Sequence, residues 1–211
     1  MDTTLTPIYQ AILDGDLEAV KSGVQAAVDG GLSAEHVLKE GMIPAMGEVG
    51  RLFEAGEYFV PEMLVSARAM QGGLSLLKPL LAAGNVKPVG KVVIGTVKGD
   101  LHDIGKNLVS IMLEGAGFEI KDLGTDVAPE TFVQAVADSG AGLVAMSALL
   151  TTTMTAMPLV IQALEAAGVR NKVKVMVGGA PVTNDYAKKI GADGFASDAS
   201  AAARVALGLV G

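Results

Sequence analysis

The sequence predicts two parts: an all-α four-helix bundle, then a five-stranded parallel α/β domain. Three observations predict this. Up to about residue 82, apolar side chains recur at helical spacing, with no alternating runs. From Lys91 onward, short apolar runs alternate five times with helical segments. Between them Gly, Asn and Pro cluster in LLAAGNVKPVGK, residues 80–91, which marks a linker. The boundaries follow as 1–82 for the bundle, 83–90 for the linker and 91–211 for the α/β domain.

In the bundle, a short first helix lies near Ile8–Leu13. Asp16 can cap a second, with Leu17, Val20, Val24 and Val28 on one face. Ser33 can cap a third, with Val37, Leu38, Met42, Met46 and Val49 inward. His36 occupies the position where a capping box needs Glu or Gln, so the box is absent. Pro44 interrupts the backbone ladder and predicts a kink, and Gly56 a stop. Pro61 can open the fourth helix, through Leu64, Ala67, Met70, Leu74 and Leu77. Such consecutive helices suit an up-down bundle.

In the second part, KVVIGTV reads as a buried strand, followed by a helix from Ile104 to Gly115. FEIKDLG precedes a helix opened by Pro129, and GLVAMSAL a helix over Met154–Ala167. VKVMVGG precedes a helix over Asn184–Ile190, and DGFAS one over Ala199–Leu209. Successive βα units imply a parallel sheet with helices on both faces. Ligands of such sheets bind at the carboxyl ends of the strands, near the topological switch point.

Composition narrows the chemistry. Half of the 211 residues are hydrophobic, enough for a substantial core. The formal charge is −7 with no basic cluster, which argues against nucleic acid and anionic membrane as partners. There is no cysteine, hence no disulfide, zinc–thiolate site or cysteine nucleophile. The opening residues lack a basic segment followed by an apolar one, so no signal peptide is expected and a cytoplasmic location is. The uncharged stretch Ser139–Gln162 reads as strand, polar loop and helix. Four threonines, Ser147 and Pro158 interrupt it, unlike a membrane span.

Three strand-end loops carry unusual residues and share one sheet edge: GDLHDIG (99–105), SALLTTT (147–153) and VGGAP (177–181). In the first, His102 is one of only two histidines. Imidazole is a common metal ligand, and its second nitrogen usually donates to a carboxylate, a role open to Asp100. Gly105 would let a ligand approach the helix start. A solvated loop histidine is the plainer reading of His102 alone. A zinc site lacks ligands, since His36 lies in the bundle; one histidine suits a metal already held by a macrocycle. The hydroxyls of Ser147, Thr151, Thr152, Thr153 and Thr155 suit either a polar ligand or helix capping. Gly178-Gly179 suits either close ligand approach or a tight turn. No Gly-x-Gly-x-x-Gly follows the first strand, against a dinucleotide.

Together, GDLHDIGKN, SAL and GG, in that order on strand ends, resemble the cobalamin-binding family, whose signature is Asp-x-His-x-x-Gly, Ser-x-Leu and Gly-Gly. MIPAMGEVGRLFEAGEYFVPEMLVSARAM resembles the helical cap of methionine synthase and of the small corrinoid proteins of methylamine and methanol systems. The resemblance runs from about Ile8 to Leu209. It implies a helical cap and a Rossmann-like, flavodoxin-like domain binding methylcobalamin or a related cobamide.

By this resemblance His102 is the lower axial ligand of cobalt, displacing the cofactor's own base (base-off, His-on). Asp100 holds its other nitrogen, and Thr153, where some relatives carry Ser, extends the relay. The relay lets His102 take up a proton when it leaves cobalt. Gly99, Leu101, Asp103, Ile104 and Gly105 are implied to lie around the corrin, with Asp103 at the helix start. Ser147 is implied to hydrogen-bond the buried base, with Leu149 against it. Thr151, Gly178, Gly179 and the Asp198–Ser200 stretch, including Ala199, line the tail channel. In the cap, Phe53 and Val60, where relatives often carry Leu, match the positions covering the upper face, and Glu40 the corrin edge. Without the downstream motifs, Phe53, Tyr58 and Phe59 read as plain bundle core.

The implied function is a corrinoid carrier, non-catalytic alone, in one-carbon metabolism. It shuttles a methyl group on cobalt from a donor-specific methyltransferase to an acceptor methyltransferase that uses a thiol or tetrahydrofolate. A reductive activase is a further expected partner. The cap is expected to swing on the linker to expose cobalt. Two other readings share the motifs: a cobalamin-dependent sensor acting through protein contacts, and the cobalamin-binding subunit of a mutase.

Overall fold

The computed structural model describes residues 3–211. The chain divides between Lys87 and Pro88 into two compact units.

The first unit is helical: α1 (Thr6–Leu13), α2 (Leu17–Asp29), α3 (Ala34–His36), a π-helical stretch (Val37–Met42), α4 (Ile43–Glu54) and α5 (Val60–Ala83). Asp16 and Ser33 cap α2 and α3, accepting from the N–H groups of Ala19 and His36. The expected kink at Pro44 takes the form of a π-helical stretch ending just before it. Proline offers no N–H to the ladder, and the widened stretch absorbs that loss. α4 ends at Glu54, and Gly56 follows with φ +72°. The Glu57 N–H donates to the Leu52 carbonyl there, closing the last turn.

Leu5, Ile8, Ile12, Val20, Val24, Val37, Met42, Met46, Met63, Met70 and Leu77 fill the core of this unit. Leu64, expected inward, is exposed. The buried stripe of α5 runs instead through Met63, Ser66, Ala67, Met70 and Gly73. Its small residues let α2 approach: a Cβ on Gly73 would lie 2.7 Å from Val20 Cγ1. Ser66 Oγ and Tyr58 OH both donate to the Leu13 carbonyl, at 3.1 and 3.2 Å, and so satisfy the end of α1. Residues 80–83, read as linker texture, form the last turn of α5 despite Pro79.

The second unit alternates β1 (Lys91–Thr96), α6 (Ile104–Gly115), β2 (Glu119–Asp122), α7 (Pro129–Ser139), β3 (Leu143–Ser147), α8 (Met157–Ala166), β4 (Lys174–Gly178), α9 (Asn184–Ile190), β5 (Gly194–Ala196) and α10 (Ala199–Val210). A short 3-10 turn, Met154–Ala156, leads into α8. All strands are parallel, in the order β2-β1-β3-β4-β5. This is the flavodoxin-like order, with its switch point between β1 and β3. Their register pairs Thr96 with Ser147, so both strands end at the same level. The inner strands are almost wholly buried, as a sheet covered on both faces requires. Phe132 of α7 is fully buried beneath β1 at Gly95, where a Cβ would meet its ring at 2.9 Å. Burying such a ring stabilises by roughly 2–3 kcal/mol. Among the described residues, no helix is long and apolar enough to cross a membrane.

Candidate functional site

The β1–α6 and β3–α8 loops leave the sheet at the switch point, and one carboxylate ties them together. Asp100 is fully buried. Its Oδ1 accepts from the His102 N–H at 3.1 Å and contacts His102 Nδ1 at 2.7 Å. Its Oδ2 accepts from the Leu149 N–H at 2.8 Å and lies 2.5 Å from Thr153 Oγ1. Thr153 Oγ1 also lies 3.0 Å from the Leu150 carbonyl, but a hydroxyl has one proton. The shorter contact, to the charged oxygen, takes it. With a longer contact from the Leu150 N–H to Oδ2 at 3.4 Å, five donors crowd the lone-pair sites of one carboxylate.

Burial alone pushes the Asp100 carboxyl up. The hydrogen bonds from Thr153, the Leu149 N–H, and the ring and N–H of His102 together outweigh it, and hold the group well below the usual carboxylate range. Asp100 therefore stays ionised and can only accept. Nδ1 therefore carries a proton toward Asp100, and in the neutral ring the lone pair falls on Nε2. The His102 side chain is 51% exposed, so the ring is gripped on one edge and open on the other.

The surrounding loops are braced. Gly99 has φ +85°, and its N–H donates to Asp126 Oδ1 at 2.8 Å. The Asp126 N–H donates back to the Asp100 carbonyl at 2.9 Å. Thr96 Oγ1 donates to the His102 carbonyl at 2.8 Å. Leu101 and Ile104 flank His102 and are 74% and 78% exposed, which is unusual for large apolar side chains. Leu149 and Leu150 add exposed apolar surface on the β3–α8 loop. Asp103 stands at the start of α6, but its carboxylate accepts from Asn107 Nδ2 at 3.1 Å rather than from a helix N–H.

The two glycine sites differ. A Cβ on Gly179, where φ is +123°, would lie 1.9 Å from the Ala148 carbonyl oxygen. One on Gly178 would lie 3.0 Å from the Ala196 oxygen. Backbone packing demands glycine at 179, whereas at 178 a Cβ would be a tight contact across the β4–β5 pairing. Around Gly105 nothing lies within 4 Å of such a Cβ, so packing within the chain gives no reason for glycine there.

The half-buried Ser147 hydroxyl, at the end of β3, has no hydrogen-bond partner among the described residues. Thr151 is exposed. Ala199 is buried in the first turn of α10, behind Asp198, whose carboxylate caps that helix through the Ala201 N–H. Phe53 and Val60 lie in the helical unit, in the last turn of α4 and the first of α5; Val60 is exposed and Phe53 half-buried. Glu40 is exposed on the π-helical stretch.

The sequence reading missed Lys106. It is almost fully buried, with its Nζ on the Asp122 carboxylate and 2.7 Å from Asn107 Oδ1. An acidic residue closing β2 was the available signal.

Comparisons with known proteins agree across both units. A family described as a B12 binding domain matches residues 90–206, and a second B12 binding domain family matches residues 4–78. Dimethylamine corrinoid protein 3 of Methanosarcina acetivorans is 42% identical over 198 residues, 94% of this chain and 92% of that protein. A corrinoid protein of Desulfitobacterium hafniense is 40% identical over 210 residues, covering 98% of this chain and 97% of its own. A chain in the methanol:cobalamin methyltransferase complex of Methanosarcina barkeri superposes with a TM-score of 0.87 at 33% identity, over 99% of this chain and 80% of that one. A cobalamin-binding protein from Desulfitobacterium hafniense gives 0.82 at 34% identity, over 98% of both.

The residues present fit such a cofactor. No three His, Cys, Asp or Glu gather to hold a bare ion among the described residues. A metal already held by a macrocycle asks the protein for few donors, and His102 Nε2, exposed beside apolar Leu101 and Ile104, could serve as one. The cofactor is a corrinoid, cobalamin or a close relative, and the chain belongs to the B12-binding corrinoid proteins.

Proposed function

We propose that this chain is a methyl carrier that works between two methyltransferases, with His102 as the lower ligand of its cobamide. The observation that carries this reading is the Asp100–His102 pair, which keeps Nδ1 protonated and leaves Nε2 free to bind a metal. When bound, the cobamide supplies a cobalt centre that accepts a methyl group from a donor and yields it to an acceptor.

The chain's own residues then have defined tasks. Asp100 accepts from Nδ1–H and fixes the ring's orientation, so Nε2 presents its lone pair without a search among rotamers. The Nδ1–H hydrogen bond to Asp100 would hold the ring in place whether or not Nε2 is bound to a metal. Thr153 keeps Asp100 charged throughout by donating to Oδ2. Ser147 offers its unpaired hydroxyl to the cofactor's displaced base, beside Leu149. Thr151 and the Gly178-Gly179 turn are assigned to the tail's path, with the start of α10 at Ala199. Gly99, Leu101, Asp103, Ile104 and Gly105 form the bed beneath the ring.

The helical unit is assigned as the cap domain, Phe53 and Val60 as its cofactor-binding residues and residues 83–90 as the linker. Relatives named dimethylamine and trimethylamine corrinoid proteins, and the match within a methanol:cobalamin methyltransferase complex, support methyltransferase partners. A donor-specific subunit, a thiol- or tetrahydrofolate-using acceptor enzyme and a reductive activase complete the cycle, in the cytoplasm.

The test is transfer of label. Protein reconstituted with cobalamin and reduced should take up isotopic methyl from a methylamine or methanol only when a cognate methyltransferase is present. It should release that label to a thiol when the acceptor enzyme is added. Label that never becomes protein-bound with any such donor enzyme contradicts the carrier reading.

A further inference from the structure

The ion pair of Lys106 is an expense the Asp100 relay does not explain. Its side chain is 2% exposed, and withdrawing an ammonium from water costs several kcal/mol unless it is well paired. An apolar residue would fill the same space more cheaply, so the charge calls for a geometric reason.

The hydrogen bonds supply one. Lys106 Nζ binds Asp122 Oδ2 at the end of β2. Asp122 Oδ1 accepts from the Gly124 N–H at 2.8 Å. The Gly124 carbonyl accepts from the Thr96 N–H at 2.9 Å. Thr96 Oγ1 donates to the His102 carbonyl at 2.8 Å. Two residues past Gly124, Asp126 has φ +56°, a left-handed conformation that aspartate tolerates better than most. From there it grips Gly99 and Asp100 in both directions. On its other side, Lys106 Nζ holds Asn107 Oδ1, and Asn107 Nδ2 holds the Asp103 carboxylate. The turn 122–126 therefore meets the ligand loop directly at Gly99 and Asp100 and reaches the His102 carbonyl only through Thr96 at the end of β1, and Lys106 anchors that turn.

We infer that Lys106 is a positioning residue for His102: its buried ammonium locks the turn after β2, and that turn fixes the backbone of the ligand loop. This rests on His102 as the cobalt ligand. It assigns a second clamp, on the loop backbone, where Asp100 holds the ring.

The test uses Lys106→Met in the full chain. Asp122 is 39% exposed and can be hydrated when its partner goes, so the variant is expected to fold. In the cofactor-free protein, amides of residues 99–105 should exchange with deuterium about tenfold faster, the scale of one lost charge-assisted hydrogen bond. Amides of β3 and β4 should keep their rates, and Lys106→Arg should restore most of the protection. Cobalamin affinity should fall about tenfold in parallel, as expected when the ligand loop must be ordered on binding. If Lys106→Met does not fold, Thr96→Val removes only the last link of the chain and is read in the same way. Unchanged exchange of residues 99–105 overturns the proposal, and so does faster exchange with unchanged cobalamin affinity. Failure of the ligand assignment shows separately, as identical cobalamin spectra for His102→Ala and the unsubstituted protein.

Discussion

Asp100 Oδ1 and His102 Nδ1 stand 2.7 Å apart, with the carboxylate fully buried and the imidazole half in solvent. That asymmetry gives the site its chemistry. The buried partner is crowded with donors and ionised at neutral pH, so the exposed nitrogen is the edge of the pair left open to a ligand.

Thr153→Val should lower the stability of the cofactor-free α/β unit by about 1–3 kcal/mol at neutral pH. It removes a buried donor from a charged acceptor and replaces it with a methyl group. Thr153→Ser should recover most of the loss. Urea denaturation followed by circular dichroism measures both.

Stability should fall on acidification, and Asp100 should account for part of the slope. Its folded-state pKa lies below the unfolded value. Its contribution is therefore fully present above the ordinary carboxylate range near pH 4, and drains away as pH falls through that range toward the folded value. Asp126, held low by the Gly99 N–H and Lys98, acts in the same direction. Asp100→Asn should flatten the acid limb relative to the unsubstituted protein and leave the Asp126 contribution in place. Urea midpoints between pH 3 and pH 7 measure the difference.

The two glycine sites should respond oppositely. Gly179→Ala forces a Cβ into the Ala148 carbonyl at a left-handed φ, and should cost about 3 kcal/mol or more by overpacking and strain. Gly105→Ala meets no atom of the chain and lies within α6, so it should raise cofactor-free stability by up to about 1 kcal/mol. If Gly105 lies beneath the corrin as proposed, the same Gly105→Ala change should weaken cobalamin binding. Thermal unfolding and spectroscopic titration separate the two effects.

Much of this arrangement is legible in the residues. Periodicity switches from helical to βα at the linker, and α6 and α9 begin and end where their apolar patterns do. Asp100 is legible only through the three strand-end motifs together, since His102 by itself reads as a solvated loop histidine. Less visible are features that depend on small or charged residues in the interior. The buried face of α5 runs through Ser66, Ala67 and Gly73, so a reading that follows large apolar side chains places Leu64 inward instead. Pro44 announces a break, but not that it is accompanied by a π-helical stretch on its N-terminal side. Lys106 reads as surface until β2 delivers Asp122 beside it. Glycine-rich turns announce close approach but not what approaches: at Gly179 it is the chain's own backbone.

The central claim is that His102 Nε2 binds cobalt from below, and the absorption spectrum of the reconstituted protein tests it most directly. The unsubstituted protein should show the spectrum of a histidine-ligated cobamide, and His102→Ala should lose it and bind the cofactor more weakly. An unchanged spectrum in His102→Ala would contradict the account.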